Sequence, residues 1–507
     1  MVFHELLLSA CFSLIAFLVF LVIHYYRNYT TWSREGSGLP YIPFPRDCVF
    51  YPIQKSVTLQ KFYNELAPHP IGGFYKMSRP YLLVRDPELL RRILIKDFSH
   101  FVDHGFDIDE GLDPLNAHIF NLEGERWRAI RQKLTPIFSG AKMKAMWPLM
   151  MECEKVLTGH LDRLIESGTE FEVKDVMKKF AMDVIGTCAF GLRCDAIQDP
   201  ESEFRKATDT VLRESHIFFL RSLLRSMGLN LVALLKWKRI DKSVDDFFFS
   251  LVRECTKMRA KNQHTRNDLM QHLINLQHEE QEALKKDNSQ AEPLMTDSVV
   301  ASHAFVFFVG GFETTSGTLS FVFYNLALHP EIMEKCRAEV REVLQRHGGT
   351  MTYDSLKDMT YIQCVIDETL RVYPNVGWLE RICQEPYELP DGSYTIKKNA
   401  RLLLPIYAFH MDPKYFPNPE RFDPDRFSDE NKNNIIPGTY FPFGDGPRSC
   451  IGLRFARMEM KAAIASLIMR YDIEPSQKTD VPVQFAPTSM LISASNGIWL
   501  KWKKRNA

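Results

Sequence analysis

Phe443-Gly444-Asp445-Gly446-Pro447-Arg448-Ser449-Cys450-Ile451-Gly452 is a glycine-punctuated loop that presents one cysteine and runs directly into a helical pattern. Gly444 and Gly446 let the backbone turn tightly and approach a flat ligand, and Gly452 leaves the far side of the sulfur uncrowded. A helix starting just after Cys450 aims its N-terminal amides at the sulfur and favours thiolate over thiol. A thiolate held in this way suits an iron centre. The competing reading is a glycine-rich turn around a buried structural cysteine, the ordinary fate of a lone Cys.

Upstream, an apolar helical pattern runs from Ser298 to Leu328 behind a Thr296-Asp297 cap and carries Gly310-Gly311-Phe312-Glu313-Thr314-Thr315 at its centre. Two mid-helix glycines cost roughly 1 kcal/mol each relative to alanine, so something needs the room they leave. A threonine hydroxyl that bonds the preceding turn loosens the helix locally and holds water. Glu313 beside Thr314 is the acid and alcohol that proton delivery to a bound oxygen requires. Taken alone the pair also reads as a kink with a solvated Glu. Further on, Glu368-Thr369-Leu370-Arg371 sets a Glu and an Arg three apart on one helix face, a weak signal by itself.

These segments together resemble the cytochrome P-450 superfamily of haem-thiolate monooxygenases, and the resemblance extends from the N-terminal segment to the closing Gly497-Ile498-Trp499-Leu500-Lys501. Asp113-Pro114-Leu115, Lys133-Leu134-Thr135-Pro136 and that closing run are most similar to the insect xenobiotic-metabolising branch. The resemblance implies a mainly α fold with a small β-rich region, and haem b (iron protoporphyrin IX) lying between the long helix and the loop, with Cys450 as axial metal ligand. It implies Glu313 and Thr314 as the catalytic proton path. Trp127, Arg131, Arg381, Arg448, Gly444 and Gly452 become cofactor-binding residues, with His104 a further contact where relatives often carry Arg. Glu368 and Arg371 become a structural lock joined by Arg426 of Phe422-Asp423-Pro424-Asp425-Arg426-Phe427, where Asp425 stands in place of the usual Glu. Phe106, His118, Phe120, Phe305, Phe308, Phe312, Val376, Thr488 and Met490 become the substrate pocket, although any single aromatic is more often core. The implied reaction inserts one atom of O2 into a lipophilic small molecule, with electrons from NADPH through a membrane-bound NADPH-cytochrome reductase and with cytochrome b5 as a second donor. Arg126, Arg128, Lys133, Arg454 and Arg457 would give an acidic donor a basic face. Two alternatives stand beside this: a haem-thiolate isomerase or dehydratase, and a non-catalytic haem- or lipophile-binding membrane protein.

Leu6 to Ile23 is free of charge, and Arg27, Arg34 and Arg46 follow it, while the N-terminal flank holds only Glu5. That is an uncleaved anchor (residues 1–30) with the remainder on the cytoplasmic side of the endoplasmic reticulum membrane, since a cleavable signal would carry a basic start and a small-residue site. Gly38-Leu39-Pro40-Tyr41-Ile42-Pro43-Phe44-Pro45 makes residues 31–50 a stiff hinge, and residues 51–507 one catalytic domain. The stretch 217–237 reads equally as a superficial membrane contact or as core helix, and residues 278–297 as a solvated loop. Lys plus Arg equals Asp plus Glu at 63 each, which leaves no overall field for nucleic acid. The 10 cysteines show no CxxC pair, so neither a disulfide framework nor a zinc site is expected. His100 and His104 lack the HExxH glutamate between them.

Overall fold

A computed structural model of the chain describes residues 12, 15–20, 22–24, 26–28, 30–34, 38–43, 54–76, 79–106, 109–212, 238–262, 268–286, 293–487 and 489–505. The whole stretch expected as a second membrane contact (217–237), the first part of the expected anchor and Thr488 lie outside these residues.

The body is built round the helix Asp297–Leu328. Thr296 opens it, its hydroxyl oxygen accepting from the Val299 N–H at 3.2 Å, as a β-hydroxyl at the cap should. Of the described helices, this one is long and apolar enough to cross a membrane, yet 67% of its apolar window is buried. A helix that is apolar on all sides and covered on most of them is the centre of a core. The helix Val173–Ile185 packs along it, and the two glycines serve different faces. A Cβ on Gly311 would lie 3.0 Å from the Ile185 side chain, whereas one on Gly310 would meet nothing within 4 Å. Gly311 therefore sets helix–helix approach, and only Gly310 borders open space.

The β-rich region is a four-stranded sheet in the order β1 (Ile71–Lys76), β2 (Arg79–Val84), β6 (Arg401–Leu404) and β3 (Leu379–Ile382), with short pairs β4 (Tyr387–Glu388)/β5 (Thr395–Ile396) and β7 (Tyr471–Pro475)/β8 (Leu500–Lys504). β2 and β6 run parallel, and the other pairs are antiparallel. The proline segment does not stand free: Tyr41 bridges Gly73, and the Ile42 N–H donates to the Gly73 carbonyl at 2.9 Å. At the N-terminus, Ile15–Asn28 is a short apolar helix on which Ile15, Leu18, Val19, Val22 and Ile23 are exposed.

Residues 278–297 are not one loop. The helix Leu269–Lys286 continues over the first nine, burying Leu269, Met270, Leu273, Ile274 and Leu276 while its polar tail faces solvent. Polarity there marks the outer face of a helix, supported by a Glu282–Lys285 pair at 3.1 Å. The eight described cysteines form no disulfide, and all but Cys450 are buried.

Two buried histidines are locked neutral by their partners. His303 Nε2 accepts from the Ile119 N–H (3.2 Å) with Nδ1 against the Val299 carbonyl (2.7 Å); His410 Nε2 accepts from the Phe441 N–H (3.2 Å) with Nδ1 against the Arg371 carbonyl (3.1 Å). Burial pushes them down to about 4 and about 3. Because the unfolded chain takes up these protons first, their contribution is complete above the ordinary histidine range and is lost as pH falls through it. By pH 5.5 each should withdraw about 1 kcal/mol. Thermal melting at pH 7.5 and 5.5 checks this: a clear fall in Tm is expected, and an unchanged Tm contradicts it.

Candidate functional site

The Cys450 loop folds as its glycines require. Gly444 (φ 71°) and Gly446 (φ 67°) are left-handed, and a Cβ on Gly446 would sit 1.9 Å from the Leu94 carbonyl oxygen, so no other residue fits there. Asp445 accepts from the Gly446 N–H at 2.7 Å, and the Cys450 N–H closes the loop on the Phe443 carbonyl at 2.8 Å. The helix Leu453–Arg470 starts immediately afterwards, with Gly452 as its first cap. No atom would lie within 4 Å of a Cβ on Gly452.

Cys450 is exposed on one side and enclosed by protein on the others. That enclosure is the largest influence on the thiol and raises it; the Gly452 and Leu453 amides and the Arg131 guanidinium oppose the rise. The helix-start amides push towards thiolate, as read from sequence, but burial outweighs them. A metal ion on the sulfur would deprotonate it outright.

Four of the expected cofactor-binding side chains gather beside this loop. Arg131 donates to the Ser449 carbonyl at 2.9 Å. Arg448 lies 4.0 Å over the Trp127 ring and donates to the carbonyls of Val102 (2.9 Å) and Leu122 (2.7 Å), with Asp103 at 3.3 Å. Arg381, on β3, is completely buried; its Nη1 donates to the Glu380 carbonyl at 2.8 Å while its Nε has no partner. Burial first, then the field of Arg448, lowers Arg381 to about 9, and burial lowers Arg448 to about 10. His104 is held well below its ordinary value by burial and by these two arginines, and its Nδ1 sits 2.9 Å from the Phe120 carbonyl. A buried guanidinium with an orphaned donor beside a second cation calls for an anion. The carboxylates of a porphyrin suit that demand, and a cysteine alone on a glycine loop suits its iron, so the residues present fit haem.

On the central helix, the Thr314 hydroxyl donates to the Gly310 carbonyl at 2.7 Å, the back-bond anticipated from sequence. Glu313 is turned towards the neighbouring helix, where Lys174 Nζ lies 2.6 Å from its Oε1; its Oε2 is buried without a partner. A cavity of about 20 Å³, lined by Glu172, Lys174, Gly317 and Ser320 among others, adjoins this pair and is large enough for one water. Sequence reasoning missed Lys174, because a lysine on a half-buried helix gives no signal until its partner is placed.

The lock residues meet. Glu368 and Arg371 are fully buried and doubly bonded at 2.7 and 2.9 Å. Arg371 also donates to the carbonyls of His410 (2.8 Å) and Pro419 (2.6 Å), and the Asp423 N–H donates to Glu368 (2.9 Å). Arg426 approaches Glu368 at 3.5 Å and holds the Pro417 carbonyl at 2.7 Å.

The pocket residues divide. Phe308 and Phe312 lie about half a turn round the helix from Gly310, completely buried with Phe190, Phe204 and Phe248. The face they share packs against neighbouring helices. Phe305 joins Phe248 and His118. Phe106, Phe120 and His104 form one ring cluster, Val376 is half-buried, and Met490 is 58% exposed. The expected basic face is partly neutralised: Arg126 pairs with Glu110, Arg128 with Glu125 and Arg457 with Asp367.

The family model described as cytochrome P450 matches residues 43–502. Relatives include the probable cytochrome P450 6a14 of Drosophila melanogaster, 37% identical over 486 residues that cover 94% of this chain and 95% of that protein. Cytochrome P450 6j1 of Blattella germanica is 35% identical over 490 residues (95% and 94%), and cytochrome P450 6a9 of Drosophila melanogaster is 39% identical over 453 residues (88% of each). With the cysteine loop, the buried arginines and a match over nearly the full length all agreeing, the chain belongs to the cytochrome P450 family, whose members are haem-dependent oxidoreductases.

Proposed function

We propose that this protein is an NADPH-dependent monooxygenase of lipophilic small molecules (xenobiotics, plant toxins, insecticides or endogenous lipids), fed by a membrane-bound reductase and, as a second donor, cytochrome b5. The observation that carries the reading is the presence together of Cys450, open on one side at a helix start, and of the Thr314–Gly310 back-bond where the middle of the central helix is exposed at Gly310. Bound through Cys450, haem supplies O2 activation and transfer of one oxygen atom to substrate.

The chain's own residues do the rest. Arg381, Arg448 and Arg131 bind the anionic edge of the cofactor, with Trp127 supporting Arg448. Thr314, already tied to the Gly310 carbonyl, holds a water where protons are needed. Glu313 passes protons to it after parting from Lys174, drawing on the small cavity beside that pair. Apolar side chains around this space exclude bulk water and select lipophilic substrates. Residues 1–30 anchor the protein in the endoplasmic reticulum membrane with the catalytic body (51–507) cytoplasmic. Its support is the exposed run Ile15 to Ile23, a surface that water disfavours.

Thr314→Ala should bind haem normally yet lose coupling. Product formed per NADPH oxidised is expected to fall about tenfold, measured with purified reductase and a lipophilic test substrate. Unchanged coupling removes Thr314 from the proton path. Product formation that needs no NADPH or reductase contradicts the proposed function itself.

A further inference from the structure

We propose that the protein carries a site for the phosphate of an anionic phospholipid headgroup, between the end of the anchor and the four-stranded sheet. A cavity of about 340 Å³ opens there, and its lining includes Arg79, Lys397, Lys398 and Arg401 with the aromatics Trp32 and Tyr394. Among the described residues of that lining none is Asp or Glu. Four cations line a cavity of ligand size, and none of them is among the arginines gathered beside the Cys450 loop.

The cations are pre-positioned. Lys397 to Ala400 form a tight turn closed by the Ala400 N–H on the Lys397 carbonyl at 3.0 Å, with Asn399 left-handed (φ 66°), the residue type and place that such a turn favours. The turn is pinned to the sheet edge by Asn399 N–H to the Cys383 carbonyl (2.7 Å) and Cys383 N–H to the Ala400 carbonyl (2.9 Å). Lys397 and Lys398 are thus fixed at their backbones and exposed at their tips. Arg401 donates to the Gly105 carbonyl at 3.0 Å. At the rim Lys398 meets Glu385 at 3.1 Å, but both side chains are more than half exposed, and such a pair yields readily to a competing anion.

The neighbouring wall decides the ligand. Thr31 and Trp32, from the short helix Thr31–Arg34 that follows the apolar N-terminal segment, line the same cavity. Trp32 is buried, its Nε1 donating to the Phe74 carbonyl at 3.3 Å, and a Cβ on Gly73 would come within 2.7 Å of its ring. The sheet is therefore shaped to seat this indole, which fastens the cavity to the point where the chain leaves the bilayer. Cations at that depth meet lipid phosphates first. The inference rests on the proposed anchor.

The test uses the full-length holoprotein in lipid discs of phosphatidylcholine with a minor fraction of phosphatidic acid, followed by gentle extraction and quantification of the retained phospholipid by class. Retained phosphatidic acid should exceed its share of the disc about tenfold. The excess should persist in Lys397→Arg/Lys398→Arg and in the remote Lys285→Ala/Lys286→Ala, and vanish in Lys397→Ala/Lys398→Ala with the haem spectrum unaltered. Equal enrichment in the wild type and in that alanine variant, or none in either, overturns the site. Loss of the excess on adding millimolar inorganic phosphate assigns the cavity to a soluble anion and overturns the lipid source. Flotation with purely phosphatidylcholine vesicles separates the two readings: failure to float rejects the anchor, whereas floating without headgroup selection rejects this site alone.

Discussion

Cys450→Ser is expected to leave a folded chain that neither shows a thiolate spectrum nor oxidises substrate. The substitution exchanges sulfur for oxygen on an exposed side chain, and the backbone bond from Cys450 N–H to the Phe443 carbonyl does not depend on it, so far-UV circular dichroism and Tm of the apoprotein should hold. Loss of an outer partner of a metal ligand already costs about 10–100-fold, and loss of the ligand itself should cost more than about 100-fold in NADPH-dependent product formation. Serine offers no anionic sulfur to push electron density towards iron. Retained turnover would remove Cys450 from the metal.

The second large effect belongs to the buried ion pair. Glu368→Ala leaves Arg371 without its carboxylate partner in a place with no solvent access, and an uncompensated buried charge costs about 3–5 kcal/mol, a large part of an ordinary folding free energy of about 5–15 kcal/mol. The damage spreads because Glu368 also receives the Asp423 N–H and approaches Arg426, while Arg371 fastens the Pro419 and His410 carbonyls. His410 in turn receives the Phe441 N–H, at the threshold of the cysteine loop. Expression without haem incorporation is the expected outcome. Arg426→Ala, which removes the more distant 3.5 Å contact, should be milder and retain some haem. A Glu368→Ala protein with wild-type haem content and Tm would show that the lock is not structural.

Much of this was legible because the chemistry concentrates in short local patterns. The Cys450 loop, the Glu368–Arg371 spacing and the Thr314 back-bond each lie within one turn or one helix, where spacing along the chain is spacing in space. The Thr296 cap was readable for the same reason. What was not legible needed tertiary partners. Gly310 and Gly311 look equivalent in sequence, but only the Ile185 side chain shows that Gly311 serves packing. Phe308 and Phe312 fall on the face opposite Gly310, a distinction that an all-round apolar helix hides from periodicity. Lys174 on Glu313 and Asp103 on Arg448 join residues more than 100 positions apart. Polar residues 278–286 read as loop because their buried partners lie in the first half of the same helix.

The measurement that bears most directly on the whole account is the carbon monoxide difference spectrum of the dithionite-reduced, membrane-expressed protein. A strongly red-shifted Soret band is the result that thiolate ligation by Cys450 predicts. A band typical of a neutral axial ligand, or no haem absorption at all, would contradict it and take the proposed monooxygenase reaction with it.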